Sequence, residues 1–271
     1  MTVKFTKMQG AANDFVVIDH RAPFLPADAT DLFARLCDRR RGVGADGVLL
    51  LERAGGFDFA MRYHNSDGGP ADFCGNGARC LARFALSLGL GTDGTVSFTT
   101  AAGPKRARAL ADGRIALEFG AVPEGEDTSV NAAGRTFEGW FVVTGVPHFV
   151  VPVPRVESVA IATEAPPLRA HARFGAAGAN VDFVAMRPDG RLAMRTFERG
   201  VEGETLACGS GAIASALWAV SRAEASSPVT VRTAGGDDLV VEFAGRAGER
   251  SAVLTGPAEI SFTGIWDAAA H

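Results

Sequence analysis

Two tetrapeptides nearly repeat along this chain, Cys74-Gly75-Asn76-Gly77 and Cys208-Gly209-Ser210-Gly211. They stand 134 residues apart (208 minus 74) in a sequence of 271, close to half its length. Each ends a polar loop and opens an amphipathic helical pattern. After the first, Leu81, Phe84, Ala85 and Leu88 keep the 3.6-residue period and Gly89 closes it. After the second, a glycine-opened helix is predicted from about Gly209 to Ser221. A duplicated α/β unit accounts for the echo, with one cysteine from each half, and the length suits about two domains.

Between these marks, short strands dominate. Val3–Lys7 and Phe15–Asp19 read as strands on either side of the turn MQGAAN, and Asp28–Arg39 reads as a helix with Leu32, Phe33 and Leu36 on one face. Strands are predicted at Val48–Glu52 and Phe57–His64, then near 95–100, 105–110, 114–119, 140–144 and 148–153. Residues 154–179, rich in Pro, Ala and Gly, give no clear period. A hairpin around Pro188-Asp189-Gly190 joins Val181–Arg187 to Arg191–Phe197, and Val229–Thr233, Leu239–Ala244 and Ala252–Thr255 complete the strands.

A helix start presents unpaired N–H groups and the positive end of the backbone dipole. Glycines there let a ligand approach the backbone closely. A thiol just ahead of such an end has its pKa drawn down, and a carboxylate docks on the same amides. Two such units would hold one small carboxylate ligand between two thiols. That suits removal of a proton from one face of a carbon and its return to the other, which is acid–base catalysis by matched groups. Cys80 lies about 240° round the helix from Cys74 and is assigned to the core, as is Cys37 beside Leu36.

Composition removes other classes. Four cysteines with no C-x-x-C spacing argue against a disulfide scaffold or a structural zinc site, so no metal is expected. A net charge of −4 offers no basic face for nucleic acid. The start MTVKFTKMQGAANDF lacks the apolar core of a signal peptide, and the uncharged stretch Thr205–Ser221 is too short to span a bilayer. A cytoplasmic protein with no membrane partner is expected. Lysines stand only at Lys4, Lys7 and Lys105, none placed for a pyridoxal Schiff base. GVGADG (42–47) matches a dinucleotide fingerprint but follows a helix and precedes a strand, the reverse of the required order. GSGAIA (209–214) opens a helix, but the acidic residue expected about twenty positions on is missing. No cofactor is expected.

The stretches MQGAANDFVVID (8–19), NSDGGPADFCGNGAR (65–79) and ERGVEGETLACGSGA (198–212) closely resemble the three signature segments of the diaminopimelate epimerase family. Those enzymes are cofactor-independent, two-cysteine racemases and epimerases. The resemblance implies an α+β fold of two similar, pseudo-symmetric α/β domains, each a barrel-like, mostly antiparallel sheet around a central helix, with the active site in the interdomain cleft. It implies an N-terminal domain of residues 1–121 plus 262–271 and a C-terminal domain of 122–261. Residue by residue, Cys74 and Cys208 match the catalytic pair, His148 the histidine that assists the first cysteine, and Glu198 the glutamate that assists the second. Backbone amides of Gly75, Asn76, Gly209 and Ser210 would hold the α-carboxylate. Asn13 matches a substrate-site asparagine, while Asn65, Asn180 and Arg199 match the groups that hold the substrate's far end. The implied activity interconverts LL- and meso-2,6-diaminopimelate for lysine and peptidoglycan precursors, and a homodimer is implied by the resemblance alone.

Four places depart from the family pattern. Gln9-Gly10-Ala11-Ala12 replaces His-Gly-Leu-Gly, Gly47 stands where Gln is usual, Val146 where Asn precedes Pro-His, and ERGVEGET is one residue longer near Glu202. Losing polar groups that face a substrate changes specificity. Two alternatives therefore stay open: a related racemase or epimerase of another amino acid, such as histidine or hydroxyproline, and a non-catalytic amino-acid-binding protein.

Overall fold

The structure is a computed structural model that describes residues 1–26 and 28–268. Its chain divides into two units, one of residues 1–118 with 256–271 and the other of 119–255. The first elements are β1 (Thr2–Gly10), β2 (Asn13–Asp19), α1 (Thr30–Cys37), β3 (Gly47–Glu52), β4 (Phe59–Asn65), β5 (Pro70–Ala71), α2 (Gly75–Ser87), β6 (Thr95–Thr100), β7 (Gly103–Ala109) and β8 (Ile115–Ala121). The second set is β9 (Glu126–Ala132), β10 (Arg135–Thr144), β11 (Val146–Pro152), α3 (Ile161–Arg169), β12 (Asn180–Met186), β13 (Leu192–Glu198), β14 (Gly203–Thr205), α4 (Gly209–Ser221), β15 (Val229–Arg232), β16 (Asp238–Ala244) and β17 (Ser251–Gly256). The last strand, β18 (Glu259–Asp267), belongs with the first unit.

Strand pairing repeats from one unit to the other. In the first, hydrogen-bonded neighbours run β18–β1–β2–β3–β4–β6–β7–β8, antiparallel except β2 with β3 and β4 with β6. In the second they run β9–β10–β11–β12–β13–β15–β16–β17, antiparallel except β11 with β12 and β13 with β15. Each parallel step needs a crossover. α1 and α2 supply the two crossovers in one unit, and α3 and α4 supply them in the other. The chain is thus an α+β protein of two repeated domains.

Alternation along the strands sorts the two helices of each unit onto opposite faces. Val48 and Leu50 of β3 join Leu32, Phe33 and Leu36 of α1 in one cluster, while Leu49 between them meets Gly77 of α2. β3 is therefore buried on both sides and reads as an unbroken apolar run, GVLLLE. In the second unit Phe149, Val151, Val181 and Phe183 pack with Ile161, Ala165 and Leu168 of α3. This leaves the opposite face of β11 and β12, with His148, Asn180 and Asp182, to α4. The sheet of each unit wraps its inner helix: α2 packs against β1, β2, β3, β4, β6 and β7, and α4 against β10, β11, β12, β13, β15 and β16.

Beyond the short strands β5 and β14, three elements of the structure are absent from the sequence reading. Residues 161–169 form α3 although it contains Pro166 and Pro167, because Ile161, Ala165 and Leu168 anchor one side. β9 is a strand whose alternation is carried by Thr128 and Val130 alone among charged and polar neighbours. β18 turns Ile260, Phe262 and Ile265 outward and sends only Trp266 into the core, so its apolar pattern shows no alternating inward face. Because β18 pairs with β1 from Thr2↔Asp267 to Gln9↔Glu259, the return to the first unit falls at Gly256 rather than at 262. Among the described residues no helix is long and apolar enough to cross a membrane.

Candidate active site

Each unit sets its cysteine at the same structural point. Cys74 and Cys208 are the N-cap residues of α2 and α4, both in extended conformation (φ −138°, ψ 118° and φ −121°, ψ 113°). Their carbonyls accept the first helical N–H groups, from Ala78 and Ala212. The amides of Gly75, Asn76, Gly209 and Ser210 lie in first turns that have no helical carbonyl to meet them. The small residues sit in tight packing. A Cβ on Gly77 would lie 3.1 Å from Leu49, and one on Gly211 would lie 2.5 Å from Oδ1 of Asp182.

Around Cys74 the thiol donates to Oδ1 of Asn13 at 3.6 Å, and the Asn76 side-chain amide donates to the same oxygen at 3.3 Å. Arg79, wholly buried, donates in turn to Oδ1 of Asn76 at 2.8 Å and fixes its orientation. Asn13 donates to Oδ2 of Asp46 at 2.6 Å. Behind this lies a network of charge. Arg39 bridges Asp14 and Asp46 at 2.7 Å each, and the buried Lys7 ammonium meets Asp14 at 2.5 Å and the Gly44 carbonyl. Desolvation alone would raise Asp14, but Arg39 and Lys7 outweigh it and hold the carboxyl at about 2. Lys7 is thereby engaged as an ion-pair partner. Asn65, at the end of β4, is exposed and paired in register with Gly47.

The Cys208 side is more deeply buried. Ser210 Oγ lies 3.5 Å from the Cys208 sulfur and 2.9 Å from Nε2 of His148. Nδ1 of His148 is 2.7 Å from Asp182, whose other oxygen accepts the Thr196 hydroxyl at 2.6 Å. Register explains the cluster: His148 sits opposite Asn180 across the parallel β11–β12 pair, and Asp182 opposite Thr196 across β12–β13. Glu198 lies two residues beyond Thr196, on the same face of β13. Burial, then the charges of Glu198 and Asp182, push the Cys208 thiol well up, while the Ser210 hydroxyl and the Gly211 amide pull it back. The backbone N–H of Arg199 donates to Oδ1 of Asn180 at 2.7 Å, so Asn180 spans from His148 to the turn after β13. The family resemblance pairs His148 with the first cysteine; within its own unit the imidazole is joined through Ser210 to the second. Burial pushes the thiols of Cys37 and Cys80 up to about 12, in keeping with core positions.

The departures from the family pattern have local explanations. A Cβ on Gly47 would lie 2.5 Å from the His64 carbonyl and 2.7 Å from the Tyr63 ring, so this position has no room for a side chain. Ala11 and Ala12 form the turn between β1 and β2 with φ of 57° and 64°, and the Gln9 side chain braces it by accepting the Ala12 N–H at 2.9 Å. The added residue near Glu202 closes a turn. Glu202 N–H donates to the Glu198 carbonyl, and its carboxylate is held by Arg169 and by Gly200 N–H. Val146 opens β11 opposite Thr144, half-buried. Sequence reasoning missed Asp46, Asp182 and Thr196, each of which acts on an identified residue and carries no motif of its own.

A family model described as diaminopimelate epimerase matches residues 5–123 and 140–261. A protein named diaminopimelate epimerase from Aquifex aeolicus (strain VF5) is 38% identical, the match covering 89% of this chain and 90% of that one. One of the same name from Acaryochloris marina (strain MBIC 11017) is also 38% identical, covering 98% and 99%. Among solved structures, a Bacillus anthracis phenazine biosynthesis protein of the PhzF family superposes with a TM-score of 0.75 at 13% identity, covering 98% of this chain and 99% of that one. A hydroxyproline epimerase from Agrobacterium vitis superposes with a TM-score of 0.70 at 18% identity, covering 97% and 92%. At those identities the two structures establish a shared fold. The sequence matches go further, running through both cysteine motifs and nearly the whole length, and the chain belongs to the diaminopimelate epimerase family.

Proposed function

We propose that this chain is an isomerase that interconverts LL- and meso-2,6-diaminopimelate without a cofactor, supplying lysine and peptidoglycan precursors. The observation that carries the reading is the repeated placement of Cys74 and Cys208 as N-caps of the inner helices of two like-folded units. Family membership supplies the substrate.

In this mechanism one cysteine, as thiolate, takes the α-proton, and the other, as thiol, gives a proton back. The roles exchange for the reverse reaction. An α-proton of an amino acid is weakly acidic, so charge spreading onto the α-carboxylate must be stabilised as it forms. The amides of Gly75, Asn76, Gly209 and Ser210 supply that stabilisation, with the positive ends of α2 and α4 behind them. Glu198 serves Cys208, a role supported by its electrostatic action on that thiol. His148 serves, by the family pattern, as the acid–base partner of the first cysteine, and its burial and its link to Ser210 also join it to the second. Asn13 orients the substrate beside Cys74, and Asn65, Asn180 and Arg199 hold the distal amino and carboxylate groups, for which a guanidinium is well suited.

The enzyme works in this reading in the cytoplasm, where thiols remain reduced, and as a homodimer. Among the described strands β18 pairs with β1 alone, and it leaves Ile260, Phe262 and Ile265 at 47%, 50% and 66% exposure. Such an apolar edge is the kind of surface subunits cover.

The test is incubation of the reduced enzyme in D₂O with LL-diaminopimelate, and separately with a panel of L-amino acids including histidine and hydroxyproline. α-Deuterium is then read by mass spectrometry. Incorporation into diaminopimelate alone is expected. Incorporation into another amino acid alone would overturn the substrate assignment, and none at all would overturn catalysis.

A further inference from the structure

Asp182 has no part in the chemistry above, yet it is wholly buried on the inner face of β12. A carboxylate taken out of water is retained where its oxygens are bonded, and both are here: Oδ2 faces Nδ1 of His148 at 2.7 Å and Oδ1 accepts the Thr196 hydroxyl at 2.6 Å. Helix α4 makes room for it, since the third residue of that helix, Gly211, has no Cβ to strike Oδ1. The positive end of the helix dipole lies alongside.

The direction of each proton follows from the bonding. Arg199 N–H donates to Oδ1 of Asn180, which turns the Asn180 NH₂ toward Nε2 of His148 at 3.3 Å. A nitrogen that faces an N–H donor is an acceptor, so in the neutral imidazole the proton sits on Nδ1 and is donated to Asp182. Nε2 then also accepts the Ser210 hydroxyl, and the Ser210 oxygen is left to accept from the Cys208 thiol. Every link points the same way.

We propose that Asp182 is a positioning residue for the Cys208 half of the reaction, fixing His148 as the Nδ1–H tautomer so that a directed chain through Ser210 receives the Cys208 proton. The inference rests on the reading of Cys208 as an acid–base group. When Cys208 becomes a thiolate, its proton passes to the Ser210 oxygen as the Ser210 proton passes to Nε2. The imidazolium so formed is balanced by the Asp182 carboxylate. When Cys208 acts as the acid, the same protons return, with no change of oxidation state. A thiol held high by its burial has need of such an acceptor chain.

The test uses the whole chain without substrate, so its failure is distinct from a failure on diaminopimelate. Long-range ¹H–¹⁵N spectra of imidazole-labelled protein should show a locked Nδ1–H tautomer assigned to His148 by its loss in His148→Gln, beside those of His20 and His64, whose Nδ1 atoms face Glu52 and the Gly68 carbonyl. Asp182→Ala should release the lock on His148. Iodoacetamide labelling at neutral pH, read peptide by peptide, should slow about tenfold at Cys208 in Asp182→Ala and Ser210→Ala, with Cys74 labelling unchanged. Ser210→Ala removes no charge and should leave the His148 tautomer in place, which keeps the test open if Asp182→Ala fails to fold. A wild-type His148 protonated on Nε2, or unchanged Cys208 labelling in Ser210→Ala, would overturn the proposal.

Discussion

The Asp46 carboxylate holds the side-chain amide of Asn13 at 2.6 Å, and this single contact decides which end of that amide faces Cys74. With Nδ2 committed to Asp46, Oδ1 is turned to the thiol and to Asn76. Asp46 also accepts the Asp14 backbone N–H at 3.2 Å, so it fixes both the strand and the side chain. Asp46→Ala should free the amide to flip and lower kcat/KM about tenfold, the loss of roughly one charge-assisted hydrogen bond. Steady-state kinetics on diaminopimelate checks this, and unchanged kcat/KM would separate Asn13 orientation from turnover.

Replacing either thiol tests the two-base chemistry directly. Cys74→Ser and Cys208→Ser should each lower kcat by about 10²- to 10⁴-fold, the usual share of a general acid or base. Thermal stability should hold nearly constant, because oxygen for sulfur at an N-cap adds a favoured capping group. A variant that kept near-wild-type turnover would show that a single base suffices.

Gly47→Gln puts back the residue that the family pattern carries at this place. The His64 carbonyl in its path belongs to β4, paired with β3 at Val48, and cannot step aside without breaking the ladder. The substitution should cost about 1–3 kcal/mol, as overpacking does, and lower Tm by several degrees in a calorimetric scan. An unchanged Tm would mean that Tyr63 and the β3–β4 ladder yield more readily than their packing implies.

Asp14 gives a pH signature. Its carboxyl lies at about 2 against an ordinary 3.8, so the folded state binds this proton less readily than the unfolded chain. The stabilisation is complete above about pH 4 and is lost as pH falls from about 4 through 2. The full shift corresponds to about 2.5 kcal/mol, and exposure of the partner Arg39, at 58%, reduces this to about 1 kcal/mol. Melting curves of wild type and Asp14→Asn should differ by a few degrees at pH 7 and converge near pH 2. A gap that stayed constant with pH would assign the effect to shape instead of charge.

The cysteine repeat, the helices that follow it and the family of the chain were all legible in the residues, because each is a local pattern. Glycines after a cysteine and apolar residues at helical spacing act within a few positions of one another. α3 was hidden by two prolines, and β18 by apolar residues that face outward, since both are held by partners remote in sequence. Of the candidate residues, those within the motifs could be named from the sequence, while Asp46, Asp182 and Thr196 could not.

By itself the sequence determined that two like units each present a cysteine at a helix start, a statement about neighbours along the chain. Tertiary structure alone decided which groups surround those thiols. Strand register sets His148 against Asn180 and Asp182 against Thr196, and a register is fixed by packing across the sheet. The same packing makes Gly47 a matter of space beneath Tyr63, and places on Asp182 the burial that ties its charge to His148.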